Sequence, residues 1–219
     1  MIPEQSAREY ANDLAFRLVR ERLAGIGDIE EQCRRCEARY LAAEKAVTVD
    51  YLDRPYRIDL ASAVVSPVAE EDTISVQEQL LVLHYFTQAK GTHLSGKPIT
   101  YKELADGINY FPVFSKRAIQ PVVTFFGDEP EQLLEAAATM GGCRADYGDF
   151  SVTIPVFRRV PVTFVLWKGD AEFAPEGNLM FDSTVSDYLT NDDIHTCCEK
   201  IAWKLARLRK TGGGNPGRG

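Results

Sequence analysis

No stretch of this 219-residue sequence approaches the roughly 18 consecutive apolar residues that a membrane-spanning helix needs, so no such helix is expected. The opening MIPEQSAREYANDLAF carries acids early and has no apolar core stretch, which argues against a secretory signal. Basic residues are short: 25 Lys and Arg against 32 Asp and Glu leave a net charge of -7, with no basic cluster. Nucleic-acid binding rests on such clusters and is not expected. With neither a signal nor a spanning helix expected, a cytoplasmic setting is expected, and five cysteines, an odd number there, argue against a disulfide framework. Also missing are GxGxxG after a strand, GxxxxGK[ST] and GxSxG, which removes dinucleotide, P-loop and nucleophile-elbow readings.

What is present suits a folded chain. Hydrophobic residues make up 45% and charged residues 26%, enough to bury a core without staples. Residues 5–24 place Ala7, Tyr10, Ala11, Leu14, Leu18 and Leu23 at helical spacing, and Gly25 stops the run. A short helix is expected over EEQCRRCEARY, then a β-hairpin over 46–61 turning at Asp53–Arg54, then a polar connection over 66–73. Ser75–Ala89 reads as a helix, and Thr100 with Glu103 as a capping box whose turn ends at Gly107. NYFPVF reads as an aromatic loop, and Ser115–Phe126 as a helix interrupted near Pro121. Pro130 and Gly141–Gly142 bracket a further helix. Strands follow at 150–156, 160–167 and 178–181, and a last helix, capped by Thr190 or Asn191, runs to Leu208.

Helices and hairpins segregate without βαβ alternation, so the expected class is α+β: a mixed, largely antiparallel sheet of about five strands with helices packed on it. A single domain over 1–210 is expected, with TGGGNPGRG (211–219) as a flexible tail.

The chemistry is less determined. Cys33 and Cys36 form a CxxC, and His195 and Cys198 an i, i+3 pair beside Cys197. Together they resemble a zinc ligand set, but both pairs fall in helices rather than on knuckles, so no metal site is assigned. His84 sits on an apolar helix face and reads as a core residue, while His93 lies in a polar loop near Lys97. The stretch WKGDAEFAPEGNLMFD offers Asp170 and Glu172 at a strand end, with Trp167 and Phe173 as apolar neighbours. Gly169–Asp170 also suits a plain turn, and Asp182 a helix cap. The ligand-binding expectation is Trp167, Asp170, Glu172 and Phe173 as a pocket mouth, closed by Tyr110 and Phe111 of the aromatic segment. Asp182 and Tyr188 are expected to be structural.

Four features in fixed order carry a resemblance. They are G-K-P-I-T at 96–100, the Gly141–Gly142 pair, W-K-G-D-A-E-F at 167–173, and M-F-D-S-T-V-S-D-Y-L at 180–189. In this order they resemble a family of uncharacterised bacterial and archaeal domains, a domain of unknown function common in anaerobes and sometimes associated with iron–sulfur segments. Met180 stands where that family carries Leu, and Asp187 where it often carries His. Cys197 and Cys198 are peculiar to this chain, and no cysteine-rich segment is present. The resemblance implies handling of an iron–sulfur, corrinoid or other tetrapyrrole cofactor in anaerobic metabolism.

The expected function is therefore a cytoplasmic ligand-binding or accessory protein, with a small molecule, a tetrapyrrole or a partner enzyme as its counterpart. Two alternatives stand beside it. One is an enzyme using Asp170 or Glu172 with Tyr110 for acid–base work, and the other is a protein-interaction module without a ligand.

Overall fold

Among the described residues two antiparallel sheets, not one, organise the chain. The computed structural model describes residues 4–69 and 73–212. The chain packs as two compact units: residues 1–93 with 157–159 and 187–189, and residues 94–156 with 160–186 and 190–219.

The first unit opens with α1 (Glu4–Ala24) and α2 (Ile29–Cys36). On α1, Val19 and Leu23 are buried, whereas Tyr10 and Leu18, expected on the apolar stripe, are exposed. Asp28 caps α2 by accepting from the Glu31 N–H. The expected second helix stops short of Arg39, because Arg39–Leu41 is β1 of a four-stranded sheet with β2 (Ala46–Tyr51), β3 (Arg54–Asp59) and β4 (Val65–Pro67). The hairpin turns at Leu52–Asp53, not Asp53–Arg54. Both turn residues have positive φ, the geometry that matches strand twist in a two-residue loop. Pro55 therefore lies inside β3, opposite Asp50. The first residues of the polar connection belong to β4, and residues 70–72 lie outside the described residues. α3 (Val76–Gln88) starts at a full capping box between Ser75 and Glu78. It buries Leu81, Val82, Leu83, Tyr85 and Phe86, and Tyr85 stacks on Phe157 with ring centroids 4.1 Å apart.

The second unit holds a five-stranded sheet in the order β5 (Pro98–Thr100), β9 (Glu176–Asp182), β8 (Val160–Trp167), β7 (Phe150–Phe157), β6 (Cys143–Ala145). Val152, Ile154, Val162, Phe164, Leu179 and Phe181 are among its buried residues and stand at alternating positions along their strands. Helices α4 (Gly107–Phe114), α5 (Gln120–Phe126), α6 (Glu131–Ala138) and α7 (Asn191–Gly212) supply Phe114, Phe126, Leu133 and Leu205, all buried. Thr190 caps α7, its hydroxyl accepting from Asp193 N–H and donating to the Asp193 carboxylate. The helix runs on through Thr211 and Gly212. The rest of the expected tail lies outside the described residues.

GINYFPVF is a helix, α4, and not a loop. Pro112 lacks the N–H that would reach the Ile108 carbonyl, at a cost of up to about 3 kcal/mol. Burial of Phe114 among Tyr101, Phe181 and His195 offsets that cost. Between α4 and α5 the chain winds as a π-turn, Ser115–Ile119, in which Gln120 N–H reaches Ser115 O. Pro121 explains the widening. Its ring would collide with the carbonyl four residues back, and it has no N–H to give. A wider turn just before it keeps one helical path where an interruption was expected.

Candidate functional site

The turn at 167–173 is closed on itself. Asp170 Oδ1 accepts from the N–H groups of Glu172 and Phe173, each at 2.8 Å, and Asp170 N–H donates to Phe173 O at 2.9 Å. Those N–H groups hold the exposed Asp170 carboxyl below the usual range. Gly169 is needed here, since a Cβ would fall 2.7 Å from Pro175 Cδ. Glu172 is exposed, Phe173 is 70% exposed, and Trp167 lies partly exposed against Gly148. Acid–base work needs a buried or coupled carboxylate, and among the described residues Asp170 hydrogen-bonds its own turn alone.

Tyr110 and Phe111 sit on α4. Tyr110 is exposed, and Phe111 is half-buried beneath Lys102, whose Nζ is 4.1 Å from the ring centroid. Among the described residues, no hydrogen bond, ion pair or ring contact links these two to Trp167, Asp170, Glu172 or Phe173.

The thiols of the CxxC and of the His195 pair are buried. Cys33 and Cys36 lie buried on α2 of the first unit, and Cys36 Sγ donates to Gln32 O at 3.1 Å. Burial pushes Cys33 up to about 11 and Cys36 up to about 12. Cys198, on α7 of the second unit, is fully buried and pushed up in the same way. His195 stands edge-on to Phe114, with centroids 5.8 Å apart, and burial lowers its pKa. Among the described residues no three His, Cys, Asp or Glu side chains are arranged to hold a metal ion.

Asp182 does more than cap a turn. Oδ1 accepts from Thr184 N–H and hydroxyl and from Ser95 N–H and hydroxyl, and Oδ2 accepts from Gly96 N–H at 2.7 Å. Burial alone would raise its pKa, but these five donors outweigh it and bring the carboxyl down to about 2. The aspartate ties the 95–96 loop to the end of β9, where β5 pairs in register Pro98↔Asp182 and Ile99↔Phe181. In the first unit, Asp187 accepts from Lys90 at 2.8 Å and Thr92 at 2.8 Å, and the Tyr188 hydroxyl donates to Thr92 O. Asp182 and Tyr188 are thus anchors.

A second candidate lies beside the π-turn. A cleft of about 360 Å³ is lined by Ser115, Ile119, Gln120, Thr124, Pro175 and Glu176 together with Val123 and Gly177. Gly177 sets its floor: a Cβ there would fall 2.6 Å from Val123 Cγ2, so only glycine lets α5 approach β9 this closely. Hydroxyls, an amide and one carboxylate surround three apolar side chains, and among the described residues no cation lines the space. Sequence reasoning stopped at the adjoining turn and missed these residues. The only signal was a helical run holding Pro112 and Pro121, a spacing that invites a non-α turn.

No curated protein and no solved structure matches the chain. Residues 28–203 match the family described as Domain of unknown function (DUF3786), and the chain belongs to that family.

Proposed function

We propose that this is a ligand-binding accessory protein whose small, polar ligand seats in the cleft between the π-turn and residues 175–177. The observation that carries this reading is the π-turn itself. It forms one wall of the cleft through Ser115 and Ile119, and single π-turns occur frequently at functional sites. The cleft lies near the small end of the range for ligand pockets, and its lining has their usual mixture of apolar walls and few polar groups. Neutral hydrogen-bonding groups with one carboxylate suit a neutral or cationic molecule and disfavour an anion.

A cytoplasmic role in anaerobic cofactor metabolism belongs to the same proposal, with this chain as the helper rather than the holder of the cofactor. Among the described residues no His, Cys or Met lines the cleft, so it offers no axial ligand to a haem or corrinoid iron or cobalt. The buried thiols are held protonated, unlike iron–sulfur ligands. A second reading, docking on a partner enzyme, is favoured by α4, where Ile108 is 72% exposed and Tyr110 and Val113 are exposed beside it.

The test is ligand-detected NMR of a mixture of small polar metabolites against the wild-type chain and Gln120→Trp. Gln120 is exposed, so the indole enters the cleft without disturbing the core. The expected result is at least one compound that binds the wild type and loses about tenfold or more in the variant, or ~1.4 kcal/mol, at unchanged melting temperature. Binders indifferent to Gln120→Trp, or no binder at all, would remove the cleft as the site.

A further inference from the structure

Arg159, between β7 and β8, has a side chain only 13% exposed and a counter-ion that fits it poorly. Glu37 Oε1 approaches Arg159 Nε to 2.8 Å, yet the buried Nε–H has no aligned acceptor. The contact is an ion pair without the parallel fork that guanidinium and carboxylate ordinarily form. Glu37 is itself 45% exposed and holds the left-handed conformation, φ 54°, at the C-terminus of α2. A non-glycine residue kept there is strained, and such strain collects at switches and ligand clamps.

The groups around Arg159 are held in place. Its backbone N–H donates to the Tyr85 hydroxyl at 3.3 Å, which in turn donates to Cys36 O at 2.8 Å. Its Nη1 lies 2.9 Å from His93 Nδ1. A guanidinium only donates, so Nδ1 is the acceptor and the neutral ring carries its hydrogen on Nε2. His93 is exposed, and the backbone beside it is pinned at Thr92, whose hydroxyl donates to Asp187 and whose carbonyl accepts from Tyr188. Arg159 thus presents its guanidinium from a fixed frame, oriented by the His93 acceptor, with a half-exposed carboxylate as the present occupant.

We propose that Arg159, oriented by His93, forms an oxyanion site for a carboxylate or phosphoryl group, and that Glu37 is its built-in competitor. A planar carboxylate or a phosphate reaches the guanidinium fork in the bidentate geometry that Glu37 does not attain, and releases Glu37 to solvent. This site lies wholly within the first unit and is independent of the π-turn cleft, whose lining disfavours anions.

The test is thermal unfolding and calorimetric titration of the whole chain with inorganic phosphate and, separately, with succinate, at constant ionic strength. The variants are Glu37→Gln, Arg159→Lys and His93→Phe. Glu37→Gln is expected to bind one of the two anions about tenfold tighter than the wild type, since the Glu37 carboxylate no longer competes for the guanidinium. Arg159→Lys is expected to abolish the effect, because an ammonium cannot reproduce the fork. If Arg159→Lys does not fold, His93→Phe, at an exposed position, is expected to weaken binding several-fold while leaving the melting temperature of the anion-free protein in place. Binding of phosphate alone assigns a phosphoryl ligand, and binding of succinate alone a carboxylate. Equal shifts in the wild type and all variants, or no binding to Glu37→Gln, would overturn the proposal.

Discussion

Ser95 and Asp182, 87 residues apart, are joined twice: the Ser95 N–H and hydroxyl both donate to Asp182 Oδ1, at 3.1 and 2.9 Å. The segments GKPIT, through Gly96 N–H, and MFDST, through Thr184, therefore also meet at this one carboxylate. Asp182→Asn removes the charge on which five donors converge, and a loss of about 2–3 kcal/mol is expected, read by urea unfolding. The pH dependence has a definite sign. The folded carboxyl is held near 2 against an ordinary 3.8, so the stabilisation is present above about pH 4 and disappears as pH falls through about 2. With solvent screening it amounts to about 1–2 kcal/mol in the wild type. An Asn variant with the same acid limb as the wild type would sink this assignment.

The cysteines should separate cleanly by reactivity. Cys143 is exposed, while Cys33, Cys36, Cys197 and Cys198 are buried. Alkylation at pH 8, followed by mass spectrometry, is expected to modify Cys143 first and the other four only on unfolding, because the thiolate is the nucleophile and burial holds Cys33 and Cys36 protonated. Rapid double labelling of Cys33 and Cys36, or iron bound to them in protein purified without oxygen, would contradict their reading as buried, protonated thiols.

Gly177 and Val123 should behave as a coupled pair. Gly177→Ala forces a methyl to within 2.6 Å of Val123 Cγ2 and is expected to cost about 1–3 kcal/mol. Val123→Ala in the same chain makes room and should return part of that loss, a coupling that a double-mutant cycle measures. Strict additivity would mean that α5 does not close on β9 as described.

On α4, burial alone distinguishes neighbours. Phe114 is buried and stacked on Tyr101 at 3.8 Å; Phe114→Ala is expected to cost about 3–5 kcal/mol. Ile108→Lys, on the exposed side, should stay within about 0.5 kcal/mol of the wild type. The comparison is made by chemical denaturation. Equal costs at both positions would mean that the exposed side is covered in solution.

Local pattern was enough for much of the architecture. Alternation at 150–156, the apolar run at 160–167, the capping box at Thr100, and Pro130 with Gly141 around α6 all follow from forces between residues a few positions apart. The segregation of helices from hairpins also placed the chain in the α+β class. The Asp170 turn is local too: its bonds span two and three residues.

Tertiary structure decided the rest. Tyr101, Phe181 and His195 around Phe114 supply burial that lets GINYFPVF wind as a helix despite Pro112, and no local propensity carries that information. Whether the hairpin joined the later strands or formed its own sheet depended on pairings between distant edges. The cleft beside the π-turn, the grip of Asp182 on Ser95, and the meeting of Arg159 with Glu37 and His93 are all contacts between residues far apart in sequence. Their positions follow from how packed elements converge, a consequence of the whole chain's burial rather than of any short stretch within it.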